Sequence, residues 1–253
     1  MSNDAVDQGG SKRRRGAFIV FEGLDRCGKT TQVQRLTEGW TGAGGVKGRR
    51  FPDRTTPLGT TINAYLTSQQ EMDDHAIHLL FSANRWELQR VDNGGKVDDS
   101  TGMGDPSRIL RGAEAIERDL TNGISVIADR YAFSGIAFSA AKGLNRSWLA
   151  APDANLPAPD LIIFLHLPGE AAAARADFGG ERYETVDIQT RVRDEFANVR
   201  EKVQGYDGRS GEWVDVDAQG SIEEVEERIK RVVDPLLKRM EGEGLGEIKR
   251  LWV

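Results

Sequence analysis

Apolar positions along the chain fall into two alternating patterns. Short β-branched and aromatic runs, "AFIVFEG" at 17–23, "ISVIADR" at 124–130 and "DLIIFLHL" at 160–167, have the length of strands buried on both faces. "EWVDVDA" at 212–218 reads as a further strand, and a short one ends near Phe51-Pro52. Between them the spacing turns helical: "KTTQVQRLTEGW" stopping at Gly39, "PLGTTINAYLTS", "DDHAIHLLFSANRWELQR", "LRGAEAIERDLTNG", "GEAAAARADF" and "VDIQTRVRDEFANVREKV". A last helix, "SIEEVEERIKRVVDPLLKRM", opens with the capping box Ser221 and Glu224, and Asp73 or Asp74 is the N-cap expected of the third. Strands alternating with helices imply a parallel α/β sheet covered on both faces, with ligands at the carboxyl ends of its strands. No internal repeat interrupts this order.

Two stretches lie outside the pattern. Residues 1–16 are a polar tail containing Lys12-Arg13-Arg14-Arg15, read as solvated. The span from about Asp92 to Ser107 is rich in Gly and Asp, has no periodicity and reads as an exposed loop without a catalytic role. The remaining chain, 17–253, is expected to be one domain, a common arrangement for an α/β chain of 253 residues.

Charge and cysteine content narrow the partners. A net charge of −6 argues against a nucleic-acid surface, which needs a basic face. The longest apolar run is too short to cross a bilayer. The lone Cys27 rules out an internal disulfide framework and a cysteine-based zinc site, as suits a reducing compartment; the cytoplasm is expected, with nucleus and organelles left open.

The candidate chemistry begins where the first strand ends. Gly23, Gly28, Lys29 and Thr30 in "GLDRCGKT" fit the phosphate-binding loop G-x-x-x-x-G-K-[ST], here between a strand and a helix pattern as its mechanism requires. Inward-pointing amides and the positive helix end hold an anion, Lys29 adds a full charge, and the Thr30 hydroxyl is a natural Mg²⁺ ligand. Asp129, at the end of "ISVIAD", is placed to help hold the same ion. No Asn-Lys-x-Asp guanine-reading stretch occurs, which lowers GTPase among the alternatives.

Arginines decide further. Arg26 in the loop, Arg54 after "RRFPD" and Arg130 beside Asp129 all fall at predicted carboxyl edges. Such a surplus suits phosphoryl transfer onto an acceptor that is itself a phosphate: the acceptor oxygen is already ionised, so charge repulsion replaces proton removal as the obstacle. Arg26 then reads as a built-in arginine finger. Phe81 and Arg85, four residues apart on one helix face with Asn84, suit stacking on a pyrimidine and donation to a carbonyl at its position 4.

Together the stretches "FEGLDRCGKTTQ", "FPDRTTPLG", "HLLFSANRWE", "DRYAFSGIAFSAAKG", "LPAPDLIIFLHL" and "FGGERYE" resemble the thymidylate kinase family, in its order and from about residue 17 to the C-terminal helix. That resemblance implies a P-loop nucleoside monophosphate kinase fold, α/β, with a parallel sheet of about five strands and a short lid at about 175–187. It implies transfer of the γ-phosphoryl group of ATP to dTMP with Mg²⁺, a homodimer, and no nucleic-acid or membrane partner. The resemblance assigns Gly23, Leu24, Asp25, Arg26, Cys27, Gly28, Lys29, Thr30 and Thr31 to the ATP phosphates and Arg175 to the adenine. Asp25 would contact the acceptor's 3′-hydroxyl or place its phosphate. Arg54 and Arg130 would clamp the dTMP phosphate. Phe81 would stack on thymine and Arg85 would reach its 4-carbonyl, with Ser134, Gly135 and Phe138 lining the pocket. Tyr183 would cover the deoxyribose. The expected catalytic set is Arg26, Lys29, Asp25 and Arg130, with Thr30 and Asp129 at the metal. Arg26 places the chain in the loop-arginine group, common in eukaryotes, although Arg182 offers a second arginine in the lid. Kinases of a broader pyrimidine monophosphate set such as dUMP, or of deoxynucleosides, are the alternatives, followed by a regulatory protein with an inactive nucleotide site. Cys27 is open to two readings, a thiolate-like group near a helix start or a small buried filler.

Overall fold

The computed structural model of the protein describes residues 14–89, 110–168, 180–205 and 211–252. Residues 1–13 of the tail, the inserted loop at 92–107, the helix read at 169–178 and Arg175 lie outside the described residues.

The strands are β1 (Phe18–Gly23), β2 (Val46–Arg50), β3 (Leu88–Gln89), β4 (Leu110–Arg111), β5 (Ser125–Asp129), β6 (Leu161–His166) and β7 (Glu212–Asp217). The helices are α1 (Lys29–Glu38), α2 (Pro57–Leu66), α3 (Asp74–Trp86), α4 (Gly112–Thr121), α5 (Ala132–Ala140), α6 (Arg146–Ala150), α7 (Val186–Gly205) and α8 (Ile222–Glu241). A five-stranded parallel sheet runs in the order β2-β5-β1-β6-β7. Its register sets Phe21 and Arg50 beside Asp129 and Glu22 beside Phe164, so the ends of β1, β2 and β5 open onto one rim.

Alternation along β1 divides the core in two. Phe18 and Val20 pack with Val126, Ile162 and Phe164 against α5 and α7, whereas Ile19 and Phe21 pack with Ile127 and Ile163 against α1 and α8. Every residue of β1 is buried, and full burial of one such aliphatic or aromatic side chain stabilises by roughly 1.5–3 kcal/mol. A third cluster of Ile62, Tyr65, Leu66, Ile77 and Tyr183 joins α2 and α3 to the segment before α7, above the strand ends.

Side-chain caps set several helix starts. Thr56 accepts the Gly59 amide before Pro57 of α2, Asp73 accepts the His75 and Ala76 amides, and the Ser221–Glu224 capping box is complete. The third helix is shorter than its pattern suggests, ending at Trp86 rather than near Arg90. Glu87 leaves helical geometry at ψ 147°, and its carboxylate accepts from the Leu58 amide and the Asn84 side chain. The chain then enters β3, which pairs antiparallel with β4 across the insertion. Two-residue strands carry no alternation, so the sequence pattern does not reveal them. Among the described residues no helix is long and apolar enough to cross a membrane.

Candidate active site

The phosphate loop is shaped by backbone positions that few residues tolerate. Gly23 has φ 139°, and a Cβ there would lie 2.6 Å from the Leu165 carbonyl oxygen. Arg26 and Arg130 adopt left-handed φ of 61° and 68° without being glycine, a conformation that concentrates at functional turns. No side chain caps α1, so its first amides stay open to an anion. Lys29 is buried and its Nζ donates to the Gly23 and Leu24 carbonyl oxygens at 3.2 and 2.5 Å. Thr30 Oγ1 donates to Asp129 Oδ2 at 2.6 Å, which joins the two candidate metal-holding oxygens.

One cavity of about 520 Å³ collects the expected residues. Its lining includes Asp25, Arg26, Gly28, Lys29, Thr30, Thr31 and Asp129 from the loop side, Arg54 and Arg130 between, and Phe81, Arg85, Ser134, Gly135, Phe138 and Tyr183 at the far end. Gly23, Leu24 and Cys27 do not line it: the Cys27 side chain is buried in the cluster that holds Phe21 and Leu36, with the Lys29 Nζ 3.4 Å from its sulfur.

Each arginine is held by a carboxylate. Arg130 pairs with Asp25 Oδ1 and donates to the Gly23 carbonyl oxygen and Ser134 Oγ at 3.0 Å each. Arg26 lays Nε and one terminal nitrogen on the two Glu184 oxygens at 2.9 and 3.0 Å. Arg54 meets Glu181 at 2.8 Å and Asn63 Oδ1 at 2.9 Å. The sequence reading missed Glu181 and Glu184, although both lie in "ERYE", because a carboxylate in a phosphate cleft runs against the charge logic used there. Arg182 is drawn away instead: it binds Glu71 at 2.7 Å, lies 4.2 Å over the Tyr65 ring and does not line the cavity.

Burial alone would push the Asp25 carboxyl up, but the Arg130 and Lys29 charges and the Gln189 amide, 2.7 Å from Oδ2, outweigh it and hold the group below the usual aspartate range. A depressed carboxyl adds stability that is complete above the unfolded pKa and lost as pH falls through the folded value. Asp25→Asn should therefore flatten the decline in melting temperature below about pH 4. A titration of melting temperature for both proteins checks this; identical acid limbs would count against the pairing.

At the far end, Arg85 is 3% exposed and bound side-on to Asp153, Nε at 2.9 Å and a terminal nitrogen at 2.6 Å. Asp153 is fully buried and also accepts from Ser82 Oγ at 2.8 Å. Asn84, expected beside Arg85 and Phe81, turns elsewhere: it accepts the Asp53 amide at 2.7 Å and so braces the turn that carries Arg54. Tyr183 packs 5.3 Å from Phe138 and 6.1 Å from Tyr65, and the Lys142 ammonium lies 4.9 Å over its ring. Burial pushes the Tyr183 phenol up, so it stays neutral.

The family model for thymidylate kinase matches residues 21–95 and 106–229, and the gap between them falls within the insertion. A thymidylate kinase of Danio rerio is 39% identical over 239 residues, 94% of this chain and 99% of that protein. The human thymidylate kinase is 37% identical over 237 residues, 93% of this chain and 98% of that protein. Among solved structures, that of the thymidylate kinase from Candida albicans matches with a TM-score of 0.70 at 31% identity, covering 94% of this chain and 98% of that one.

Proposed function

The chain belongs to the thymidylate kinase family, and we propose that its cleft passes the γ-phosphoryl group of ATP to dTMP, giving ADP and dTDP for dTTP synthesis. The observation that carries this reading is the single cavity in which the phosphate loop, Arg26, Arg54 and Arg130 meet Phe81 and Arg85. A phosphate loop alone serves many reactions, whereas a second cationic cluster joined to an aromatic and a donor fork suits a nucleotide acceptor.

ATP lies along the loop, with its β- and γ-phosphates on the amides from Gly23 to Thr31 and on Lys29. Arg54 and Arg130 receive the acceptor phosphate; the buried Arg54 Nε has no partner among the described residues, an unmet donor that a phosphate oxygen satisfies. Asp25 keeps Arg130 oriented, and Arg26 meets the charge on the transferring group. Phe81 stacks on the base, Arg85 donates to its 4-carbonyl, and Ser134, Gly135, Phe138 and Tyr183 enclose base and sugar. The paired oxygens of Thr30 and Asp129 are hard donors that would hold Mg²⁺, which would supply charge to offset that of the phosphates.

The coupled release of ADP with dTMP, dUMP, dCMP, dGMP and thymidine tests the acceptor. Preference for thymidine over dTMP would end this reading. Gly135→Ala supplies a finer prediction: the added Cβ would lie 2.9 Å from one Arg85 terminal nitrogen and 3.2 Å from the other, and Asp153 leaves that guanidinium little room to yield. The dTMP KM should rise roughly tenfold with the ATP KM unchanged, as steady-state kinetics would reveal.

The working assembly is a homodimer in the cytoplasm. Leu79 of α3, 46% exposed, and Trp148 of α6, 37% exposed and packed on His75 and His78 of α3, offer apolar surface that a second copy would cover, and sedimentation equilibrium tests the assembly.

A further inference from the structure

Glu22 lies outside the cavity lining and is fully buried at the end of β1, immediately before the phosphate loop. Its Oε1 accepts the backbone amides of Tyr131 at 3.0 Å and Ser134 at 3.1 Å, and its Oε2 accepts the Ser134 hydroxyl. Helix α5 has no side-chain cap of its own, since Tyr131 occupies the N-cap position. Ser134 is the third residue of that helix, so its amide is one of those a local cap would serve. Glu22 supplies the cap from another strand, 112 positions away in the chain.

The same carboxylate continues to Arg130. The Arg130 guanidinium donates to Ser134 Oγ at 3.0 Å, which commits the Ser134 proton to Glu22. An oriented relay results, from guanidinium to hydroxyl to carboxylate, with Asp25 bound directly at another corner of the fork. Two carboxylates thus fix the plane of Arg130, whose backbone is itself held by the bond from its amide to the Phe21 carbonyl oxygen at 2.9 Å.

We propose that Glu22 is a positioning residue for the acceptor phosphate: through Ser134 it aims Arg130 and ties the start of α5, which carries the acceptor pocket, to the root of the donor loop. The proposal rests on reading Arg130 as a clamp for that phosphate. Glu22→Gln separates positioning from packing. Gln keeps an oxygen for the two amides but turns a donor toward Ser134 Oγ, which then faces two donors and loses its outlet.

Stability gives the control. Burial raises the Glu22 carboxyl above the usual glutamate range despite the Ser134 bonds and the facing charges of Arg130 and Lys29. The folded state therefore holds that proton more tightly than the unfolded chain does, and stability falls as pH rises from the unfolded pKa through the folded value. Gln removes that loss but leaves the buried Ser134 hydroxyl proton without an acceptor, so the two effects oppose and the net change in stability should be modest.

The experiment measures steady-state kinetics and melting temperature for the full chain. In Glu22→Gln the dTMP KM should rise roughly 10- to 100-fold, with the ATP KM within about twofold and the melting temperature within roughly 5 °C. Ser134→Ala, which cuts the relay while leaving the backbone cap, should show the same signature, and Glu22→Asp, whose shorter carboxylate withdraws from Ser134 Oγ, decides the matter where Glu22→Gln does not fold. The double variant should be no worse than the worse single one. An unchanged dTMP KM, an equal rise for both nucleotides, or additive losses in the double variant overturns the proposal. Arg130→Ala separates the two readings. If it leaves the dTMP KM unchanged, the clamp reading fails and takes this proposal with it; if it raises the KM while Glu22→Gln does not, only the positioning role of Glu22 is lost.

Discussion

Arg26→Ala should lower turnover at least about a hundredfold while leaving the KM for dTMP within about threefold. Arg54 and Arg130 remain in the cavity, so on the proposed reading ground-state binding of the acceptor phosphate keeps its cations. What the variant loses is a guanidinium for charge that builds only during transfer, a contribution of roughly 10³–10⁵ in rate where arginines play this part. The Glu184 pair, at 2.9 Å, holds Arg26 at the cleft before nucleotides arrive. Arg26→Lys should recover little, because a point charge lacks the planar fork that meets several equatorial oxygens. Rapid-quench turnover beside steady-state KM values checks both variants. A defect confined to dTMP affinity would remove Arg26 from the transfer step and move it to the acceptor clamp.

Arg85→Ala should have two separable effects. The Asp153 carboxylate, fully buried and bound side-on, loses its partner, and stranding a buried charge costs about 3–5 kcal/mol. Preference for dTMP over dCMP, read as the ratio of kcat/KM values, should fall by roughly a hundredfold or more, since a buried donor aimed at a carbonyl is what penalises an amino group there. Urea unfolding and paired kinetics with the two nucleotides measure these quantities. Replacing both partners, Arg85→Leu with Asp153→Leu, should restore most of the stability without restoring base choice. A folded variant that still prefers dTMP would show that base choice lies elsewhere in the pocket.

What could be read before folding, and what could not, follows from the range of each interaction. The loop motif, the strand ends at Asp129 and Arg130, and the caps at Asp73 and Ser221 depend on neighbours within a few positions, and local pattern exposes them. Phe81 and Arg85 were legible because one helix turn sets them side by side. The carboxylates that orient the arginines were not. Glu184 reaches Arg26 across 158 positions, Asp153 reaches Arg85 across 68, and Glu181 reaches Arg54 across 127. Asn84 shows the same limit from the other side, since its helix face suggested the pocket and its amide instead braces the turn at Asp53. Strand order is likewise a long-range choice: the pattern implied parallel pairing but not that β5 would lie between β2 and β1.

The Glu181 and Glu184 contacts carry a consequence for which molecules can settle in the cleft. The Glu181 and Glu184 carboxylates, at 2.8–2.9 Å, already offset part of the charge of Arg54 and Arg26, so an arriving phosphate trades against an anion in place while the open Arg54 Nε receives it. A nucleoside lacking the 5′ ester brings nothing to complete that trade. On the proposed reading, the resting ion pairs should therefore disfavour the neutral analogue before any step of the chemistry begins.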